Sequence, residues 1–270
     1  MKSLKSQFGN WAIVTGSSSG IGKEYARQLA AQGINVFLIA RRENLLEELA
    51  SELAINYQVE VRYLVLDLTE EGFIGKIEKA LGGLQPRILI SNAGAAHMGA
   101  FTKLPIEKLH SMMKLNVEAQ LHISHWFSRR LIQAKLNGAM TLVSSSIAYQ
   151  GAPYMANYSA AKAYILNLGE ALNYELKEHG INVSVLVPGP TDAPGLNDRT
   201  DANMVDGLPM KPQPVDALVE EGLRALALNK PYQLGGRMNR IMTGLMGKVM
   251  SRAKASSFWG KQMKPMVYLK

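Results

Sequence analysis

Six short runs rich in Val, Ile and Leu recur along this chain: Trp11–Thr15, Ile34–Ala40, Val59–Leu66, Ile88–Ser91, Met140–Ser144 and Val183–Val187. Short, β-branched and nearly continuous in apolar character, they read as strands buried on both faces. Between them Ile21–Gln32, Glu43–Asn56, Glu70–Leu81, Ile106–Ala134 and Tyr158–His179 carry apolar residues at helical spacing. Parallel strands need a long crossover, and an amphipathic helix returns the chain to the sheet with its apolar face inward. The pattern predicts an α/β protein: a Rossmann-type, doubly wound parallel sheet in a single domain, with a C-terminal helical extension. Ligands on such sheets sit beyond the carboxyl ends of the strands, so the residues following each run carry the chemistry.

Composition agrees with a large core. Of 270 residues, 47% are hydrophobic and 19% charged, which argues against disorder. No apolar run approaches the roughly 18–20 residues that span a bilayer, and Met1–Asn10 is short and polar, offering no secretory signal. Zero cysteines exclude disulfide and thiolate chemistry. A cytoplasmic protein is expected. The net charge of +8 is uneven. Ten of the 30 basic groups and none of the 22 acidic ones lie beyond Glu221, leaving twenty basic groups against twenty-two acidic in residues 1–221. With a near-neutral body, no nucleic-acid binding is expected, although the basic tail could touch an anionic membrane surface peripherally. His122 and His125 share a helical face, but no acid or thiol completes a ligand set, and no metal site is expected.

The first run leads straight into Thr15-Gly16-Ser17-Ser18-Ser19-Gly20-Ile21-Gly22 and then a helix. Glycines there permit a tight turn and close backbone approach to a pyrophosphate, and the helix N-terminus offers free N–H groups. Gly16, Ser18, Ser19, Gly20, Ile21 and Gly22 are therefore candidate dinucleotide contacts. An acid at the end of the second strand would hold a ribose 2′-hydroxyl, whereas a cation would hold a 2′-phosphate. The chain reads Ala40-Arg41-Arg42, with no acid before Glu43. Arg41 or Arg42, helped by Ser17 or Ser18, points to NADP(H) rather than NAD(H).

Tyr158 and Lys162 are spaced i, i+4 on one helical face. A phenol with a pKa near 10 is a poor acid or base at neutral pH, and a neighbouring ammonium favours its ionised form. Ser145, at the end of the fifth run, could hydrogen-bond a substrate oxygen, with Ser144 and Ser146 competing for that role.

The ordered set of motifs resembles the short-chain dehydrogenases/reductases, from Trp11 to about Leu228. The matching elements are Thr15-Gly-x-x-x-Gly-Ile-Gly22, Asp67, Ser91-Asn92-Ala93-Gly94, Asn116, Ser145, Tyr158-x-x-x-Lys162 and Pro188-Gly189. The text around the first glycines is similar to the branch of long-chain ketoacyl reductases and hydroxysteroid dehydrogenases, whose eukaryotic members carry an N-terminal membrane segment not seen here. The resemblance implies that Tyr158 is general acid in reduction and base in oxidation. Lys162 would lower the phenol's pKa and bind the nicotinamide ribose, Ser145 would polarise the carbonyl, and Asn116 would hold a water. It implies further that Asp67 and Leu68 meet the adenine, that Asn92, Ala93 and Gly94 support the cofactor, and that Pro188, Gly189 and Thr191 lie at the carboxamide. Many relatives place a threonine four residues past that glycine, where this chain has Ala193.

The expectation is thus an NADP(H)-dependent oxidoreductase reducing a ketone or aldehyde, long-chain acyl or steroid-like, to an alcohol. Residues 1–230 would form the dinucleotide-binding and catalytic domain with a lid at about 190–214, and 231–270 a basic amphipathic extension. The alternative is a non-catalytic dinucleotide-binding sensor or scaffold. The resemblance implies a homo-dimer or homo-tetramer built on the two long helices. His97 reads as a loop histidine near the substrate side. Met238, Ile241, Met242, Leu245, Met246, Val249 and Met250 form a helical stripe that would pack on the core, meet an apolar substrate, or dock on a membrane or partner.

Overall fold

A computed structural model describes residues 3–192, 211–241, 243 and 251–268. The predicted alternation is present: β1 (Trp11–Thr15), α2 (Gly20–Ala31), β2 (Asn35–Ala40), α3 (Glu43–Tyr57), β3 (Val61–Val65), α4 (Phe73–Leu81), β4 (Ile88–Ser91), α5 (Ile106–Met113), α6 (Ala119–Gln133), β5 (Gly138–Val143), α7 (Ala156–Glu175) and β6 (Ile181–Val187). A short α1 (Leu4–Phe8) precedes them, and the two-residue strands β7 (Thr191–Asp192) and β8 (Gln213–Pro214), α8 (Val215–Ala227), β9 (Tyr232–Leu234) and α9 (Arg252–Tyr268) follow. Among the described residues the main sheet has seven strands in the order β3-β2-β1-β4-β5-β6-β9, and all neighbouring strands pair in parallel. From β1 the chain winds outward to β3, then crosses back to β4 and winds the other way. The crevice where β1 and β4 diverge is where a doubly wound sheet binds its ligand.

Alternate residues of each strand serve two cores. Ala12, Val14, Leu38, Ile88 and Ile90 face α2, α3 and α8, while Ile13, Phe37, Ile39, Leu89 and Met140 face α4, α6 and α7. A period of two with both halves apolar explains why the runs read as continuous.

Three points differ from the sequence reading. β3 is an edge strand rather than a buried one: Tyr63 is 37% exposed and Arg62 and Val65 also face solvent. Val59–Leu66 alternates with charges for that reason. β9 completes the sheet beyond residue 230, beside β6, although Tyr232–Leu234 is too short to stand out in the sequence. Residues 3–10, read only as a polar start, form α1, whose Leu4 and Phe8 are buried; Arg87 Nε donates to Phe8 O at 2.9 Å. Among the described residues no helix is long and apolar enough to cross a membrane.

Candidate active site

The turn from β1 into α2 is tied down from behind. Gly16 N–H donates to Ile39 O at 2.8 Å, and Gly16 and Gly20 take φ of +63° and +58°. A Cβ on Gly16 would lie 2.8 Å from Ala93 Cα, and one on Gly22 would collide with Gly16 O and sit 2.5 Å from Asn92 Nδ2. The glycines are therefore required by close approach of the β4 turn, and they leave a cradle of backbone at the N-terminus of α2 that a pyrophosphate fits. Thr15 Oγ1 accepts the N–H groups of Asn92 (3.0 Å) and Ala93 (3.1 Å), while Asn92 Nδ2 donates to Thr15 O (3.1 Å) and Gly16 O (3.2 Å). Asn92, Ala93 and Gly94 are thus fastened to the loop after β1.

The two arginines after β2 are placed differently. Arg42 reaches back over the loop, donating to Ser18 Oγ at 3.0 Å and Ser19 Oγ at 2.7 Å. Arg41 is 69% exposed at its side chain and lies 3.5 Å from Asp67 Oδ2. Ser17 is fully buried with its hydroxyl toward Ile39 O, so of the two candidate helper serines only Ser18 faces a guanidinium. Asp67 follows β3 and accepts from Thr69 N (2.9 Å) and Oγ1 (2.8 Å). Burial would raise its pKa, but the Thr69 bonds and Arg41 outweigh that and lower it. The next residue, Leu68, is buried in the core under α4.

α5 and α6 run on from one another, but not as one regular α-helix. Over Lys114–Glu118 the helix widens into a π-turn, in which Ala119 N–H donates to Lys114 O. The extra residue aims fully buried Asn116 at the chain after β4: Asn116 Oδ1 accepts from Ala95 N (2.9 Å) and its Nδ2 donates to Ala95 O (2.7 Å). A Cβ on Gly94 would meet Asn116 Oδ1 at 3.0 Å and Lys162 Nζ at 3.5 Å. Asn116, Gly94 and Lys162 therefore meet at one point, and glycine is what allows it.

Tyr158 and Lys162 stand on the first turns of α7. Lys162 Nζ donates to Val143 O at 2.8 Å and lies 5.7 Å from the centroid of the Tyr158 ring. Ser145, extended just past β5, accepts from Ile147 N at 3.4 Å and stands beside the Tyr158 phenol, whose pKa it lowers. Its competitor Ser144 is buried and donates instead to Lys162 O at 2.6 Å, and Ser146 donates its backbone N–H to Pro188 O at 2.7 Å. Burial pushes the Tyr158 phenol up to about 12, with Ser145 pulling the other way, and pushes Lys162 down to about 8. In the protein alone burial thus decides both shifts, and the phenol is held as an acid.

Pro188 and Gly189 follow β6, and Thr191 Oγ1 donates to Gly189 O at 2.9 Å. Sequence reasoning gave no hint of Asn239, a buried residue of the extension. A Cβ on Gly189 would lie 3.0 Å from Asn239 Cγ, so this asparagine backs the turn after β6. Nor did it place α9 beside Tyr158, where Met263, Trp259 and Val267 join an apolar cluster with Met98, Met155 and the phenol. His97 lies in the wall of a small cleft with Phe101, Tyr154 and Asn157. Most of the expected lid, including Ala193, and most of the Met-rich stripe fall outside the described residues; Met238 and Ile241 are exposed. Among the described residues, no group of three or more His, Asp or Glu could hold a metal ion.

A family model for short chain dehydrogenases matches residues 10–204. The chain is 35% identical over 188 residues to a human protein named inactive hydroxysteroid dehydrogenase-like protein 1, a match covering 68% of this chain and 57% of that one. The chain therefore spans less than two thirds of that relative's length. It is 32% identical over 193 residues to the 7beta-hydroxysteroid dehydrogenase of Collinsella aerofaciens, covering 72% of this chain and 73% of that protein. A solved short-chain dehydrogenase from Sphingobium yanoikuyae in complex with NADPH has the same fold, with a TM-score of 0.77 and 29% identity over 90% of this chain and 96% of that one.

Proposed function

The chain belongs to the short-chain dehydrogenase family, and from that premise we propose that it is an NADP(H)-dependent oxidoreductase reducing a bulky, apolar ketone or aldehyde, steroid-like or long-chain acyl, to an alcohol. The observation that carries this reading is the meeting of Tyr158, Ser145 and Lys162 beside the glycine cradle after β1. When bound, the cofactor supplies the hydride chemistry. The protein's part is orientation and one proton. Tyr158 gives its phenolic proton to the carbonyl oxygen, since burial keeps that proton in place until a substrate oxygen needs it. Ser145, beside the phenol, hydrogen-bonds the same substrate oxygen through its hydroxyl. Lys162 holds the nicotinamide ribose and steadies the phenol's charge, and Asn116 orders the chain beside it, at a water relay.

For the cofactor, Gly16, Ser18, Ser19, Gly20, Ile21 and Gly22 would hold the phosphates, Asp67 and the backbone of Leu68 the adenine, and Asn92, Ala93 and Gly94 the ribose side. Pro188, Gly189 and Thr191 would hold the carboxamide. Arg42, with Arg41 beside it, would take the 2′-phosphate, and the NADPH complex of the Sphingobium relative supports NADP(H) as the cofactor. The assembly is a homo-dimer or homo-tetramer, for which the exposed Leu121 and Tyr164 on α6 and α7 are the apolar contacts.

A second reading, a dinucleotide-binding sensor without turnover, is favoured by the human relative's description as inactive. Replacing Tyr158 by Phe separates the two. The enzyme reading expects kcat to fall by about 10²–10⁴-fold with NADPH affinity unchanged. A native protein that binds NADPH yet oxidises none with a broad panel of ketones and aldehydes would leave the sensor.

A further inference from the structure

We propose that Gln120 on α6 is a positioning residue for the cofactor, holding the Ala93 carbonyl and with it the turn after β4; this rests on the dinucleotide-binding part of the reading above. From the π-turn along α6, polar residues recur at every fourth position: Asn116, Gln120, Ser124 and Ser128, all buried. Two of them turn back on their own helix, Ser124 Oγ donating to Gln120 O at 2.6 Å and Ser128 Oγ to Ser124 O at 2.7 Å. The other two reach off it, to alternate residues of one turn. Asn116 bonds both the N–H and the carbonyl of Ala95, and Gln120 Nε2 donates to Ala93 O at 3.3 Å.

Ala93 is where this hold matters. Its N–H already goes to Thr15 Oγ1, so Gln120 completes a grip on the residue from the side of α6. A Cβ on Gly16 would lie 2.8 Å from Ala93 Cα, and one on Gly94 would lie 3.5 Å from Lys162 Nζ. Any shift of the turn therefore disturbs the phosphate cradle on one side and the lysine on the other. Stability does not account for the glutamine. Among the described residues its buried Oε1 has no hydrogen-bond partner, nor has the buried hydroxyl of Ser91 just before the turn. A polar atom buried unpaired is costly. The core cluster that holds Ala93, Ala119 and Ile123 is apolar, so a side chain of the same length without polar atoms suits the site better. What such a side chain lacks is the donor to Ala93.

Gln120→Met keeps the length and removes the donor. In a calorimetric titration its dissociation constant for NADP⁺ rises by about three- to tenfold, the worth of one neutral hydrogen bond. Its thermal midpoint rises by about 2 °C or more, because the unpaired amide oxygen is gone. Gln120→Glu adds a pH readout. The new carboxyl donates to Ala93 O only while protonated, and burial holds its pKa above the usual carboxylate range. The ratio of variant to native dissociation constant is therefore within about twofold of one at about pH 5.5 and climbs about tenfold or more by about pH 8, with no such climb in Gln120→Met. An unchanged affinity in Gln120→Met, or affinity and thermal midpoint falling together as they would for a packing residue, overturns the proposal. So does a ratio for Gln120→Glu that ignores pH. A native protein that binds no NADP⁺ or NADPH overturns the dinucleotide reading, and this role with it.

Discussion

Lys162 carries its ammonium to a place where little water follows, with 4% of the residue exposed and Val143 O as an acceptor. Its pKa falls to about 8 because burial penalises the charged form. An unfolded lysine keeps its proton to about pH 10.4. Between about pH 8 and about pH 10.4 the unfolded chain therefore binds more protons, so stability rises with pH; the contribution is lost as pH falls through about 8. Lys162→Met should accordingly gain more stability over the native protein at about pH 7 than at about pH 9.5 in urea unfolding. A gain that does not vary with pH would show that the lysine does not fold as a buried cation. The two arginines give a second prediction at this scale. Arg42 is held at the phosphate loop by two serine hydroxyls, whereas Arg41 is mostly exposed beside Asp67. A charge-assisted bond to a phosphate is worth about 1.5–3 kcal/mol, so Arg42→Ala should weaken NADPH binding by about 10–100-fold and NADH binding little. Arg41→Ala should cost less, and a larger loss of NADPH affinity from Arg41→Ala in a fluorescence titration would return the 2′-phosphate to that residue. The doublet was legible in the sequence. Which arginine bends over the loop was not, because that depends on serines about two dozen positions earlier.

At the scale of elements, the β1–α2 turn works only because two backbones nearly touch. Gly22→Ala would drive a methyl group into Gly16 O and the Asn92 amide. Such overpacking costs about 1–3 kcal/mol and should open the cradle, lowering both the thermal midpoint and NADPH affinity. Gly75→Ala in α4 is the control: nothing lies within 4 Å of its added methyl, and better helix propensity should stabilise the chain by up to about 1 kcal/mol with binding unchanged. A loss of NADPH affinity equal in both variants would mean that close approach is not what Gly22 provides. β1 and β4, which meet at this turn, and the other strands read from the sequence are buried as their apolar runs suggest, except the edge strand β3. The π-turn at Lys114–Glu118 was not legible in the sequence. Over Ile106–Ala134 the apolar spacing suggests one helix, and a single inserted residue changes the average period too little to register, yet it is what aims Asn116 at Ala95.

For the whole molecule, the sheet order puts β1 and β4 side by side and so gathers Gly16, Asn92, Gly94, Asn116 and Lys162 around one crevice. Leu121, 38% exposed, and Tyr164, 39% exposed, remain as apolar groups on the outside of α6 and α7. If these helices meet a second copy, light scattering should give a multiple of 29.6 kDa, and Leu121→Glu with Tyr164→Glu should shift it toward the monomer, since an unpaired buried charge is costly. A native monomer at micromolar concentration would refute the homo-oligomer. The sequence by itself determined the parallel α/β class, the glycine cradle and the Tyr158–Lys162 spacing, because these are local: strand period, helix period and turn chemistry act over a few residues. Tertiary structure alone decided that Ser145 rather than Ser144 faces the phenol, that burial rather than a nearby charge sets its proton affinity, and that a helix about a hundred residues downstream packs beside it. Those depend on which distant surfaces exclude water from one another, and a linear pattern does not record that.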